Sequence, residues 1–426
     1  MAFGVGVIGA GTVGGGVIET LLGNSGVIRD KTGLDVVLKH VADVNHTALA
    51  QYDLGGVTVS NDAQALIDDP EVQVVCELIG GLNPAKKFIT AALEAGKHVV
   101  TANKMLLAKH GPELSELAAS KGVALRYEAA VGGTIPIIKA IRESLAANHI
   151  HGVYGILNGT CNYILTRMQD EGLEFDDALQ QAIASGFAET PPDLDIEGHD
   201  TAHKCQILAS LCFNTRVALE DIYVEGITKV SQLDVLYADE LGYDIKLLAV
   251  ALRAGDAIEA RVHPMLVPQD HLLAGVRREF NAVYVDSDIA DKTFYYGRGA
   301  GKFPTASAVV ADIIDIATLG GQTPRPAFSY THSLKVREHG LSSGRYYLRL
   351  TTQDNPGVLG QICTTLGKHG VSIATCFQHE ESDDAPAHVV IMSHMAQESA
   401  VQAAVAEIDQ QEFISEPTRL LRVLVG

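Results

Sequence analysis

The segment Phe3-Gly-Val-Gly-Val-Ile-Gly-Ala-Gly-Thr-Val-Gly14 constrains this chain more than any other. Phe3 to Ile8 reads as a β-strand and Thr12 to Leu22 as a helix, which leaves Gly9-Ala10-Gly11-Thr12-Val13-Gly14 as the turn between them. In that setting Gly9 permits the tight turn, Gly11 lets a pyrophosphate reach the backbone, and Gly14 allows close helix–strand packing. The N–H groups at the helix start then face an anion. Glycine turns of this kind are common, and it is the strand before, the helix after and the repeated βα units that point to a dinucleotide.

Those units follow. Asp35 to Val41, Val72 to Leu78 and His98 to Thr101 read as strands, Pro84 to Ala95 as a helix, and Val123 to Tyr127 as the strand that closes the unit. Apolar strands alternating with helices predict an α/β domain with a parallel sheet covered on both faces, Rossmann-type, over residues 1–130. The character then changes. Gly152 to Leu157 reads as a strand, Thr160 to Gln169, Phe175 to Ser185 and His199 to Leu211 as helices, and Arg278 to Tyr284 and Thr293 to Tyr296 as strands. This predicts an α+β catalytic region over 131–318, whose final helix, Ala306 to Ala317, packs back on the first domain. Residues 319–343, rich in Gly and Pro near Gly320 to Pro326, are the expected linker. Over 344–426 the order is strand, helix, strand, strand, helix, strand, a ferredoxin-like βαββαβ unit.

Composition narrows the partners. The 426 residues carry a formal charge of −20, which disfavours nucleic acid and anionic membranes. No apolar stretch reaches the ~18–20 residues that span a bilayer, and no basic leader precedes the first strand. The six cysteines lie scattered with no CxxC pair, as expected of reduced thiols in the cytoplasm.

Several residues carry candidate chemistry. Asp43, just after the second strand, is placed to accept hydrogen bonds from a ribose and favour NAD. Lys39 and His40 nearby would instead suit the 2′-phosphate of NADP, and a plain strand-end turn explains Asp43 equally well. Lys204 shares a helical stripe with Ile207, Leu208 and Leu211, with Asp200 one turn before it. An inward ammonium beside a carboxylate suits proton donation to a developing alkoxide; a surface pair is the alternative. Lys104 follows the strand that ends at Thr101, at the edge where parallel sheets bind ligands. Asn158-Gly159-Thr160 joins a strand to a helix and offers a cradle for a carboxylate, or an ordinary helix cap. Cys161 in that loop lacks any sign of activation.

Taken together, GAGTVG, CELIGG, TANK, YEAAVGGTIPII, LNGTCNYIL, GFAETPPDLDIEGHDTAHK, YYGRGAGKFPTASAVVADI and DNPGVLGQI resemble the homoserine dehydrogenase family over nearly the whole chain. The resemblance implies interconversion of aspartate 4-semialdehyde and homoserine with NADP or NAD. It implies Lys204 as proton donor, Lys104 as its companion near the reacting centre, and Glu189 as ligand of the substrate ammonium, with Asp195 and Asp200 as acidic neighbours. It also implies sodium or another monovalent cation on the carbonyls of Glu128, Val131, Gly133 and Ile135, a nicotinamide-side segment that includes Gly301, and a second role for 131–318 in dimerisation. The DNPGVL turn is similar to that of an ACT domain, which implies an amino-acid effector such as threonine and a homo-dimer or tetramer. Two rival readings stand beside this one: another amino-acid or semialdehyde dehydrogenase acting through Cys161, and a non-catalytic nucleotide and amino-acid sensor.

Overall fold

The structure, a computed structural model, describes residues 2–188, 190–379 and 386–425. It divides into two compact units, each drawn from three separate stretches. The first comprises Met1–Gly159, Ala202–Glu220 and Phe280–Leu334, and the second Thr160–Thr201, Asp221–Glu279 and Lys335–Gly426.

The first six strands are β1 (Phe3–Ile8), β2 (Val36–Ala42), β3 (Thr58–Ser60), β4 (Val74–Glu77), β5 (His98–Thr101) and β6 (Leu125–Arg126). Next come β7 (Ile150–Ile156), β8 (Tyr223–Val224), β9 (Tyr243–Ala254), β10 (Ala257–Pro268), β11 (Phe280–Ser287) and β12 (Lys292–Arg298). The chain then forms β13 (Lys335–Val336), β14 (Ser343–Thr352), β15 (Ile373–Gln378), β16 (Ala387–Ser393), β17 (Ala396–Gln397) and β18 (Ile414–Val423).

In the first unit β1 to β6 form a six-stranded sheet of order β3-β2-β1-β4-β5-β6. Every pairing in it is parallel, so the order reverses beside β1 and opens a crevice at the carboxyl ends of the strands. Val5, Val7, Val41, Val74 and Val100 fill its interior with Val17 and Ile18 of the helix Thr12–Gly23. Each such side chain contributes about 1.5–3 kcal/mol by leaving water. The helix Lys302–Thr318 adds Ala306, Val309, Ile313 and Ile316 to the same core. It approaches so closely that a Cβ on Gly16 would stand 2.5 Å from the Lys302 carbonyl. The expected return of this helix onto the nucleotide sheet is therefore what the chain does. β7, β11 and β12 form an antiparallel set beyond it.

The stretch expected as a linker is held down in part. Ala327 and Phe328 are buried, Phe328 stacks on Tyr127 with ring centroids 5.0 Å apart, and the Tyr127 hydroxyl donates to the Ala327 carbonyl at 2.7 Å.

In the second unit β9 and β10 pair antiparallel along their whole length, from Tyr243↔Pro268 to Ala254↔Ala257. The C-terminal βαββαβ set is β14, helix Val358–Lys368, β15, β16, helix Glu398–Ile408 and β18, with short β17 added. Leu348, Leu350, Ile362, Leu366, Val389, Ile391, Val401 and Ile408 make its core. β18 pairs with β14 on one side and, through Met265↔Arg422 and Leu266↔Val423, with β10 on the other. The helix Gln232–Glu240 is tied to the same sheet. Its fully buried Asp234 accepts from Arg349 of β14 at 2.6 Å and from the Ser231 hydroxyl at 2.7 Å, and Tyr237 stacks on His379.

Candidate active site

The glycine turn has the shape its sequence predicts. Gly9 sits at φ +94°, a left-handed conformation that a side chain would strain. A Cβ on Gly14 would stand 1.8 Å from the Gly9 carbonyl, whereas one on Gly11 meets nothing within 4 Å. Close packing thus requires Gly14, and the space over Gly11, which caps the helix beginning Thr12-Val13, is open to a ligand.

Asp43 lies at the carboxyl end of β2 and holds this turn. Its Oδ2 accepts the Ala10 amide at 2.5 Å and its Oδ1 the Asn45 amide at 2.6 Å. The two neighbouring side chains have partners of their own. Lys39 pairs with Glu71 at 2.9 Å, and the buried His40 ring spans Asp69 at 3.0 Å and Ser60 at 2.9 Å. Both side chains named for a 2′-phosphate are thus partnered, and that of Lys39 stays partly exposed.

Lys204 is 8% exposed on the helix His199–Cys212, in line with the buried Ile207, Leu208 and Leu211. Its Nζ donates to the Leu157 carbonyl at 2.6 Å, which fixes the ammonium beside the start of Asn158-Gly159. Asn158 is itself buried. Lys104 is the first residue of the helix Lys104–Lys121, capped by Asn103, whose Oδ1 accepts the Leu106 amide at 3.1 Å. Lys204 and Lys104 both belong to the first unit.

Thr160, Asp195 and Asp200 belong to the second. The Thr160 hydroxyl lies 2.5 Å from the Phe187 carbonyl and 3.3 Å from Asp195 Oδ2. One proton serves one acceptor at a time, so this side chain ties down the acidic segment. The buried Cys161 thiol donates to the Asp195 carbonyl at 3.1 Å, a structural use of the sulfur. Asp200 is buried one helical turn before Lys204. Glu189 lies outside the described residues.

The loop Glu128 to Ile135 turns tightly, with Gly132 and Gly133 at φ +73° and +57°. A Cβ on Gly133 would stand 2.5 Å from the Gly299 carbonyl, so the loop packs on the segment that leads to Gly301, the residue capping the helix Lys302–Thr318. Two buried carboxylates lie behind it. Glu128 accepts the amides of Ile138 and Lys139 at 2.9 and 2.8 Å, and Asp312 accepts the Glu128 amide at 2.8 Å. Burial, then mutual repulsion, lifts the Asp312 carboxyl above the ordinary range, and burial lifts that of Glu128. Of the backbone carbonyls in this loop, that of Glu128 accepts the Val131 amide at 3.4 Å and that of Ile135 the Ile137 amide at 2.8 Å. No cluster of three His, Cys, Asp or Glu side chains able to hold a metal occurs among the described residues. Nor is any helix among them long and apolar enough to cross a membrane.

Two residues escaped the sequence reading. Asp234 gives no signal beyond a helix cap. Glu77 does: it is the one charged residue of the quoted CELIGG stretch, and it is buried at the carboxyl end of β4.

The family model for homoserine dehydrogenase matches residues 136–314, that for the homoserine dehydrogenase NAD binding domain 9–128, and that for the ACT domain 346–413. A homoserine dehydrogenase of Neisseria gonorrhoeae is 42% identical over 426 residues, covering 98% of both chains. That of Pseudomonas aeruginosa is 42% identical over 430 residues with the same coverage. The crystal structure of a homoserine dehydrogenase from Thiobacillus denitrificans matches with a TM-score of 0.94 at 41% identity, over 100% of this chain and 98% of that one.

Proposed function

The chain belongs to the homoserine dehydrogenase family, and from that premise we propose how its residues divide the work. The enzyme is an NAD(P)-dependent oxidoreductase that interconverts aspartate 4-semialdehyde and homoserine. When bound, the dinucleotide supplies or accepts a hydride at its nicotinamide ring. Gly9, Ala10, Gly11, Thr12, Val13 and Gly14 form its pyrophosphate cradle, with Asp43 at the ribose and Gly301 on the nicotinamide side.

Lys204 delivers a proton to the substrate oxygen in reduction and recovers it in oxidation. The observation that carries this is the burial of its amine against the Leu157 carbonyl, since a desolvated, immobilised ammonium pays no reorganisation when charge develops beside it. Lys104 is the second cation near that oxygen. Glu189 receives the substrate ammonium, with Asp195 and Asp200 as acidic neighbours, and the backbone of Asn158, Gly159 and Thr160 receives the carboxylate. The carbonyls of Glu128, Val131, Gly133 and Ile135 would hold a monovalent cation such as sodium, which would stiffen this loop against the Gly299 segment. Residues 1–130 bind dinucleotide, 131–318 catalyse and dimerise, 319–343 connect, and 344–426 regulate. We place the protein in the cytoplasm as a homo-dimer or tetramer.

NAD is the preferred cofactor in this reading, because a carboxylate at position 43 suits a ribose hydroxyl better than a 2′-phosphate. Mixing the protein with homoserine and either dinucleotide, and following reduced cofactor, tests the whole reading. Turnover is expected with a higher kcat/KM for NAD; no turnover with either would end the proposal, and a clear preference for NADP would end the Asp43 assignment. Threonine is the proposed effector of the C-terminal domain. Its addition should shift the melting temperature or the rate of the full chain, and a chain indifferent to it would remove that role.

A further inference from the structure

Glu77 ends β4 and is 1% exposed, at the carboxyl edge of the parallel sheet. Its Oε1 accepts the amides of Ile79 and Gly80 at 3.0 and 3.3 Å, and its Oε2 accepts the Thr101 hydroxyl at 2.8 Å. The Thr101 oxygen in turn accepts the Asn103 amide at 3.0 Å. Asn103 Nδ2 donates to the Gly81 carbonyl at 2.6 Å, while its Oδ1 caps the helix that begins at Lys104. These contacts close a ring from Glu77 through Thr101, Asn103 and Gly81 back to Gly80. It binds the loop after β4 to the loop after β5. Ile79 also borders the glycine turn, since a Cβ on Gly9 would stand 2.7 Å from its Cγ2.

A carboxylate is costly at this depth, and burial raises its pKa above the ordinary range. Only an acceptor on both oxygens satisfies the ring. The Thr101 hydroxyl has one proton, its oxygen is already receiving the Asn103 amide, and that proton needs an acceptor. An amide at position 77 would offer a donor there instead.

We propose that Glu77 is a positioning residue, locking the two loops into one frame that carries Lys104 and the crevice wall beside Gly9. The proposal rests on the dinucleotide and lysine assignments above. Its test is Glu77→Gln in the full chain, read by calorimetric titration with NADH alone and by steady-state kinetics. The NADH Kd is expected to rise about 10-fold, the scale of one hydrogen bond to a charged group, and kcat to fall by a similar factor. Thr101→Val, which deletes the hydroxyl and spares the carboxylate, should act in the same direction and carries the test if Glu77→Gln does not fold. In a Lys104→Ala background the kcat effect of Glu77→Gln should vanish, because the two act through one group. A lowered melting temperature with Kd and kcat unchanged would overturn the proposal, as would a kcat loss that adds fully to that of Lys104→Ala. A wild-type chain that binds no NADH would sink the cofactor reading and this proposal with it; a wild type and variant that bind NADH equally would sink the ring alone.

Discussion

Replacing Lys204 by alanine is expected to lower kcat by about 10²- to 10⁴-fold, the usual worth of a general acid, with little change in KM. The side chain makes its bond to the Leu157 carbonyl from a buried position, so the substitution deletes the proposed proton donor. Folding should survive, since the vacated space lies on a helix whose neighbours Ile207, Leu208 and Leu211 remain packed. Steady-state rates at saturating homoserine decide the matter. Glu189→Gln should behave in the opposite way, raising KM and sparing kcat, because binding an ammonium equally in ground and transition states does not accelerate chemistry. A Lys204→Ala enzyme with near-normal turnover would remove the residue from the mechanism.

The second large effect concerns stability. Asp234→Ala should cost about 3–5 kcal/mol, the range for breaking a buried ion pair from one side. Burial alone would lower the pKa of Arg349; its bonds to Asp234 raise it. Removing Asp234 therefore strands a guanidinium that is only 8% exposed, and it also removes the capping box at the start of the helix Gln232–Glu240. Urea unfolding measures the loss. Converting both partners together, as Asp234→Leu with Arg349→Met, should recover part of it, since the buried Arg349 charge goes with its partner and Arg419, 3.7 Å from Asp234, is 22% exposed. A single variant destabilised by less than about 1 kcal/mol, as for an exposed pair, would show that the contact is solvated.

The parts of this architecture that were legible in the sequence are those fixed by short-range pattern. The β1 turn and helix were readable because Gly9, Gly11 and Gly14 stand between an apolar strand and a helix, and β5 because Val99-Val100 lies in a short β-branched run between Gly96 and Asn103. The C-terminal βαββαβ order was readable because its helices and strands alternate at the right lengths. The β9–β10 hairpin was not, although it is the longest pairing in the chain. Leu247 to Leu252 is a continuous apolar run, and periodicity alone does not distinguish a buried strand from a buried helix. The eighteen-residue helix Lys104–Lys121 was obscured by Pro112 within it, which ordinarily argues against a helix interior. In the candidate site, Lys204 was legible through its i, i+3, i+4 and i+7 companions. Glu77 was not assigned, because its burial depends on Thr101, a partner 24 residues away on the next strand.

β18 has two neighbours, β10 and β14, and both precede it in the chain. A ribosome making this protein therefore releases those two strands first, and their unpaired backbone edges wait in solution until Ile414 to Val423 emerges. Edges of that kind invite pairing with other chains. A product cut short before residue 414 would leave the β14 edge and Met265-Leu266 of β10 without that partner, so such fragments are expected to lose solubility, as the soluble yield of a chain ending at residue 413 would measure.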